Sequence, residues 1–268
     1  MSADTIHDLD ALLNHMWQDY LGMNPQARAV RDLFEARGER VVNDHIALRT
    51  YSLAPVGIEA LARPFLASGY QECGHYTFPA KKLRAVHFDA PGRPKVFISE
   101  LLVDAMPADI QEIIADLVAQ VDPATTHDFA FCTSGRPWSV DHATWRRLAE
   151  VSEYAAWVAA HGFRPNHFTV LVNALETLDS LEEVNTLLMA NGFELNRAGG
   201  LIKGSPVQLL EQSSTVANVV QVQLADGPLE VPGCYYEFAQ RHPDASGDLY
   251  QGFIASSADR IFESTDRR

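Results

Sequence analysis

The chain has 268 residues, of which 47% are hydrophobic, so it can bury a substantial core. Its 35 acidic and 21 basic residues give a net charge of −14, which repels phosphate backbones and argues against nucleic acid as a partner. No stretch approaches the roughly 18 uninterrupted apolar residues of a membrane span, and the N-terminal segment is acidic where a secretory signal would be basic, so we expect a cytoplasmic protein without membrane association.

The cysteines do not form a recognisable framework. Cys73, Cys132 and Cys234 are odd in number and show no CxxC spacing. This pattern argues against both a disulfide network and a structural zinc site. We expect reduced thiols in or near the core.

The first half of the chain predicts a helical arm followed by a mixed module. Residues 1–40 carry apolar side chains at helical spacing, with a break at Asn24-Pro25. Residues 41–104 then predict a strand, a helix that ends at Gly69, and three further strands. The expected bounds are 41–51, 58–68, 70–78, 83–89 and 95–103.

The second half predicts a helical insert and a second module. Residues 105–163 show helical patterns at 109–121 and 142–162. The strand–helix–strand order returns over residues 164–242, and a tail covers 243–268. The expected elements of this module are a strand at 167–173, a helix at 178–190, and strands near 193–195, 207–212 and 234–240.

The second module repeats the first. His45 and His167 stand at nearly the same distance before the helix-ending glycines Gly69 and Gly192. The last expected strand of each module carries a glutamate, Glu100 in the first module and Glu237 in the second. The sequence thus predicts an α+β fold in which two βαβββ modules form a curled mixed sheet around a metal cavity, within a single catalytic domain of residues 1–268.

The repeated histidines predict a metal site. Alternate residues of a strand share a face, so two packed modules would aim His45, His167 and Glu237 inward. Two imidazoles and one carboxylate are typical of non-heme iron sites, although Glu100 is open as a fourth ligand. A lone strand histidine is more often a hydrogen-bonded core residue. The glutamate within the apolar run YYEFA favours a metal, because a buried carboxylate without a cation is costly.

Two further residues stand near these candidates in the sequence. Arg49 lies four residues after His45 on the same strand face, roughly 13 Å along the strand, which leaves room for a small acid between a metal and the guanidinium. The alternative is an exposed strand arginine. Tyr235 and Tyr236 should point to opposite faces of their strand, one toward the cavity and one toward the core. The sequence assigns neither a catalytic role.

Four segments of the chain resemble the 2-oxoadipate dioxygenase/decarboxylase family, which is related to the vicinal oxygen chelate superfamily. They are NDHIALRT (43–50), SEYAAWVAAHGFRPNHFTVLVN (152–173), GCYYEFAQR (233–241) and LYQGFIASSADRIFEST (249–265).

The resemblance implies an Fe2+ enzyme whose ligands are His45, His167 and Glu237, with Arg49 binding a substrate carboxylate. It implies that 2-oxoadipate and O2 give 2-hydroxyglutarate and CO2 in lysine catabolism. It also makes Glu100 a structural or outer-sphere residue rather than a ligand. The characterised members are longer, and their substrate-contacting stretch corresponds to residues 254–258, where Ser257 or Ser256 is the candidate contact.

Other functions use the same ligand types. A vicinal-oxygen-chelate isomerase, lyase or hydrolase would use Zn2+, Ni2+ or Mn2+ without O2, and zinc or nickel can occupy an iron site in isolated protein because they bind such ligands more tightly. A small-acid binding protein without turnover is a third hypothesis. The sequence gives no indication of the oligomeric state.

Overall fold

The computed structural model describes Ile6, residues 8–255 and Ser257. The helices are α1 Leu9–Met23, α2 Pro25–Glu35, α3 Ile58–Ala67, α4 Ala108–Val118, α5 His142–Val151, α6 Glu153–His161 and α7 Leu181–Ala190. The strands are β1 Asn43–Tyr51, β2 Gln71–Phe78, β3 Leu83–Asp89, β4 Lys95–Leu101, β5 Pro165–Leu171, β6 Lys203–Ser205, β7 Leu210–Ser214, β8 Val219–Leu224, β9 Gly227–Pro232 and β10 Tyr235–Arg241. The predicted α+β class is confirmed.

The chain forms two compact units. The first contains the residues up to Tyr20 together with 47–166 and 219–231, and the second contains 21–46, 167–218 and the residues from 232 onward. β1 runs through both, with its first residues in the second unit. The first unit therefore holds most of the first predicted module, and the second unit holds most of the second.

The strand order confirms the repeat. In the first unit the order is β2-β3-β4-β1, and both β2/β3 and β3/β4 are antiparallel. In the second unit the order is β1-β5-β10-β7-β6, with β10 parallel to β5 and antiparallel to β7. In each βαβββ module the last strand therefore lies beside the first, and the sheet is mixed, as predicted.

The second module differs from the prediction in its middle strands. The expected strand at 193–195 is only a bridge between Leu195 and Thr215, and β7 begins later than expected because Pro206 opens a 3-10 turn. The unpredicted hairpin β8–β9 lies between β7 and β10 in the chain and belongs to the first unit. The hairpin turns at Ala225 and Asp226, and β9 begins at Gly227. The Asp-Gly pair between alternating apolar residues is a hairpin signal that the prediction overlooked.

Serine and aspartate caps divide the helical insert. The predicted helix at 142–162 is two helices, because Ser152 adopts an extended conformation and its Oγ accepts a hydrogen bond from Ala155 N at 3.2 Å. Asp141 caps α5 in the same way, through Thr144 N at 2.8 Å.

Tyrosine hydroxyls attach α6 to the strands of the first unit. Tyr51 donates to Ala155 O at 2.7 Å, and Tyr154 donates to Ser99 O at 2.8 Å. All residues of α6 from Tyr154 to His161 are buried. Neither α6 nor any other helix within the described part of the chain is long and apolar enough to cross a membrane.

The cysteines follow the expectation in two of three cases. Cys132 and Cys234 are buried, and burial raises the pKa of the Cys132 thiol to about 12. Cys73 is exposed on β2, so its predicted place in or near the core is wrong. β2 exposes most of its residues, and this explains the difference.

We predict that Gly162 is the less replaceable of two helix-ending glycines. Gly162 follows α6 on the path to β5 with φ 69°, and an added Cβ would overlap backbone atoms of Gly135 and Arg136. Gly69 follows α3 with φ 90° and faces open space. Gly69→Ala should cost about 1–2 kcal/mol of unfolding free energy, the left-handed penalty alone. Gly162→Ala should cost more than about 3 kcal/mol. Urea unfolding of both variants checks the order, and equal losses would contradict it.

Candidate metal centre

Three buried side chains meet in the second unit. His45 on β1, His167 on β5 and Glu237 on β10 each offer a ligand atom, and these atoms all lie within 4.8 Å of one another. His45 Nε2 is 3.5 Å from Glu237 Oε1, and His167 Nε2 is 3.3 Å from Glu237 Oε2. The structure thus brings together all three predicted ligands.

The pairing of β5 with β10 explains this arrangement. The strands are parallel, with Tyr235 opposite His167 and Glu237 opposite Thr169. Since residues two apart on a strand share a face, His167, Thr169, Tyr235 and Glu237 all project to the same side. The Thr169 hydroxyl lies 3.1 Å from His45 Nε2, so β1 meets the other two strands at this point.

An aspartate fixes the orientation of His45. His45 Nδ1 lies 2.8 Å from Asp44 Oδ2. Because an ionised carboxylate only accepts hydrogen bonds, Nδ1 carries the proton. The unprotonated Nε2 accepts from the Thr169 hydroxyl, and its lone pair can instead bind a metal. The Asp44 carboxylate in turn accepts two bonds from Arg241, at 2.6 and 2.8 Å. Burial alone would raise the pKa of Asp44, but the Arg241 charge and these hydrogen bonds hold it well below its usual value.

The pKa of Glu237 is shifted in the opposite direction from that of Asp44. The Glu237 side chain is fully buried, and burial raises the pKa of its carboxyl, although the nearby His45 ring and the Gln212 hydrogen bond oppose the rise. Gln212 Nε2 donates to Oε1 at 2.5 Å, whereas Oε2 accepts no hydrogen bond from any described residue. A buried carboxylate in this state is costly, and a divalent cation among the three ligands would offset the cost. The residues present therefore fit a metal ion.

Aromatic rings enclose the two imidazoles. The Tyr235 ring stacks on His167 with centroids 4.5 Å apart, and the Phe253 ring meets His45 edge-on at 4.8 Å. Tyr236 lies on the other face of β10 beside Phe238, as the predicted division of the two tyrosines requires. Apolar walls exclude water, which strengthens every electrostatic interaction at the site.

Glu100 occupies the equivalent position in the first unit with different partners. Its Oε2 accepts from Ile58 N at 2.9 Å, which caps α3, and its Oε1 accepts from Arg84 Nε at 2.5 Å. Among the described residues it belongs to no group that could hold a metal. The carboxylate thus serves as a helix cap that a basic residue neutralises.

Arg49 is also buried in the first unit. Only 1% of its surface is exposed, so the alternative of an exposed strand arginine is wrong. Its guanidinium lies over the rings of Tyr154 and Trp157, 4.9 and 5.1 Å from their centroids, and 3.3 Å from Glu153 Oε1. Binding of a substrate by Arg49 stays a prediction.

The C-terminal candidate lies in the second unit. Ser257 is 4% exposed, and a Cβ added at Gly204 on β6 would stand 3.2 Å from its Oγ. Ser256 and residue 258 lie outside the described residues. A substrate contact of Ser257 likewise stays a prediction.

Sequence reasoning missed the residues that support the ligands. Asp44 and Arg241 were within the motifs that carried the family resemblance, yet only the fold shows that they pair. A charged residue directly before His45, and another four after Glu237 at the end of a buried strand, were the available signals. Gln212 and Phe253 gave no signal, because their contacts arise from strand register and chain path.

The chain matches a known protein family and a curated relative over most of its length. A sequence model of the family described as 2-oxoadipate dioxygenase/decarboxylase matches residues 3–247. A curated relative from Oryza sativa subsp. japonica, named 2-oxoadipate dioxygenase/decarboxylase, chloroplastic/amyloplastic, is 36% identical over 282 residues. That alignment covers 95% of this chain and 78% of the relative.

Two solved structures are similar over nearly the whole chain. The hydroxyglutarate synthase from Oryza sativa in complex with 2-oxoadipate has a TM-score of 0.90 at 34% identity, and covers 96% of this chain and 91% of its own. A structure described as a putative hydrolase from Shewanella frigidimarina NCIMB 400 has a TM-score of 0.89 at 49% identity, and covers 94% of this chain and 99% of its own.

We predict that substitution of the two equivalent glutamates has different effects. Glu237→Gln should weaken Fe2+ or Zn2+ binding by more than the roughly 100-fold that loss of an outer-shell partner costs, whereas Glu100→Gln should leave affinity unchanged. Metal-free Glu237→Gln should melt no lower than the metal-free wild type, because it removes an uncompensated buried charge. Metal titration and thermal melts check both points. A metal-free Glu237→Gln protein that melts well below wild type would assign Glu237 a structural role.

Proposed function

This chain belongs to the 2-oxoadipate dioxygenase/decarboxylase family of oxidoreductases, and from that premise we propose that it converts 2-oxoadipate and O2 into 2-hydroxyglutarate and CO2. The observation that carries the proposal is the buried group of His45, His167 and Glu237 in the second unit. One carbon leaves as CO2 and both oxygen atoms of O2 enter the products, so no second 2-oxo acid is consumed. We further propose that this is a step of lysine catabolism in the cytoplasm, carried out by residues 1–268 as one catalytic domain.

Fe2+ is the metal that we propose for the centre. Two imidazoles and one carboxylate form the ligand set of non-heme iron oxygenases, and bound iron would supply both Lewis acidity toward a 2-oxo acid and redox chemistry toward O2. Because zinc and nickel bind such ligands more tightly, protein isolated without added iron can carry either of them. Mn2+ binds less tightly than Fe2+ but is a further divalent ion that this ligand set accepts.

The chain's own residues prepare the site for this reaction. Asp44 keeps the proton of His45 on Nδ1, and Gln212 fixes one oxygen of Glu237. The rings of Tyr235 and Phe253 lie against the imidazoles and keep water from them. The ligands are thus oriented before substrate binds, which avoids reorganisation during the reaction.

Arg49 is the residue that we propose for the distal carboxylate of the substrate. A guanidinium presents a planar fork of donors that matches a carboxylate, and burial makes such a pair strong. The faces of Tyr154 and Trp157 hold the Arg49 guanidinium in the interior of the first unit, and β1 carries both Arg49 and His45. We propose the Ser257 hydroxyl as an additional hydrogen-bonding group for the substrate.

A metal-dependent hydrolase is the second candidate function. The 49% identical protein from Shewanella frigidimarina is described as a putative hydrolase, and the same ligand types hold zinc in hydrolytic enzymes. The two functions differ in their need for O2.

We predict O2 uptake by the iron-loaded protein with 2-oxoadipate. An oxygen electrode should record one O2 consumed for each 2-oxoadipate lost, and 2-hydroxyglutarate should form in equal amount. Shorter 2-oxo acids and zinc-loaded protein are the controls, and both should give little uptake. Turnover of 2-oxoadipate under anaerobic conditions would favour an isomerase or lyase that works without O2, hydrolysis of an added ester or amide without use of 2-oxoadipate would favour the hydrolase, and tight binding with no turnover would favour a binding protein.

We predict that Arg49→Lys impairs substrate use but not metal binding. An ammonium cannot replace the bidentate fork, so kcat/KM should fall by the equivalent of about 1.5–3 kcal/mol, or roughly 10- to 150-fold. Arg84→Lys, which alters another arginine of the first unit, should retain activity. Steady-state kinetics and iron content check the comparison, and an Arg49→Lys enzyme with wild-type kcat/KM would remove Arg49 from the proposed site.

A further inference from the structure

The guanidinium of Arg241 contacts two parts of the second unit at once. On one side, Nε and one terminal nitrogen donate to the two oxygens of Asp44. On the other side, the second terminal nitrogen donates to Tyr250 O at 2.8 Å and Gly252 O at 2.9 Å. One side chain thus joins the start of β1 to the segment that follows the last strand.

Both sides of this link reach the same metal ligand. Through Asp44, Arg241 supports the Nδ1 hydrogen bond of His45. Through the segment, it holds Phe253, whose ring centroid is 5.3 Å from the Arg241 Cζ and 4.8 Å from the His45 ring. The His45 imidazole therefore contacts Asp44 through a hydrogen bond and Phe253 through its ring. Both contacts depend on the Arg241 guanidinium.

The backbone of Arg241 is fixed as well. Asn173 accepts from Arg241 N at 2.8 Å and donates to Arg241 O at 2.9 Å. The Arg241 side chain is only 3% exposed, so its charge is paired with Asp44 in a low-dielectric environment where loss of either partner is costly. A lysine would keep the charge but lack the planar fork that serves Asp44 and the segment together.

We propose that Arg241 is a positioning residue that couples the seating of the segment Tyr250–Phe253 to the orientation of the metal ligand His45. The proposal rests on the metal site assigned above. By linkage, packing of the segment beside His45 then increases the metal affinity, and metal binding favours the packed segment by the same factor. Because the segment leads to Ser257, Arg241 connects metal binding to the part of the chain that carries a candidate substrate contact.

The test uses Zn2+ as the probe and the full chain in three variants. Arg241→Lys removes the fork, Asp44→Asn removes the ionic link to His45, and Arg84→Lys is the control arginine of the first unit. We expect the zinc dissociation constant to rise 10- to 100-fold in the first two variants and to stay unchanged in the control. Thermal melts establish that each variant is folded.

Hydrogen exchange followed by mass spectrometry measures the segment itself. In wild type, zinc should slow exchange in peptides that cover residues 250–255. In Arg241→Lys, exchange there should be faster without metal, and zinc should slow it less. A folded Arg241→Lys protein with wild-type zinc affinity and wild-type exchange would overturn the proposal. If Arg241→Lys does not fold, an unchanged zinc affinity in Asp44→Asn overturns it instead.

A measurement on metal-free protein separates this proposal from that of the metal site. Nitrogen-15 NMR of the His45 ring should show the Nδ1–H tautomer in wild type and a mixture of tautomers in Asp44→Asn. If wild type binds no zinc, the metal assignment fails, while the tautomer and the exchange of residues 250–255 in Arg241→Lys still decide the coupling. A pure Nδ1–H tautomer in Asp44→Asn, with unchanged exchange in Arg241→Lys, would overturn it.

Discussion

Buried charge is the constraint on which the second unit depends. Asp44, Glu237 and Arg241 are all at least nine-tenths buried, and each ionised group in the interior needs a compensating partner. Asp44 and Arg241 compensate each other through two hydrogen bonds. Glu237 instead has a neutral amide, from Gln212, and two imidazoles within 3.5 Å. Of these three groups, Asp44 and Arg241 form a satisfied ion pair, whereas Glu237 is a carboxylate whose environment favours a cation.

The arrangement of the strands places the three candidate ligands side by side. Because β10 is parallel to β5, the faces that carry Glu237 and His167 are in register, and β1 beside β5 adds His45. The segment after β10 then brings Phe253 against His45. A βαβββ module whose last strand pairs with its first can build such a cluster from residues that are far apart in the chain.

The sequence predicted features that depend on local periodicity and on the repeat. The two modules, the helix ends at Gly69 and Gly192, and the meeting of His45 with His167 all follow from spacing within the chain. The Asp44–Arg241 pair depends on how β1 and β10 lie in the folded sheet, which spacing alone does not define. The β8–β9 hairpin could have been predicted from Asp226-Gly227, whereas the contact of Gln212 with Glu237 needed the β7–β10 register.

The two equivalent glutamates show why a repeat does not duplicate a metal site. Glu100 and Glu237 occupy corresponding strands, and both are buried. Glu100 accepts from Arg84, whose side chain is 58% exposed, and from the first amide of α3, so a basic residue and a helix N-terminus already neutralise it. A cation at Glu100 would have to displace those partners. A cation at Glu237 would instead coordinate a carboxylate and offset the free-energy cost of its burial. The partners of each carboxylate, rather than its position in the repeat, therefore decide which module could hold a metal.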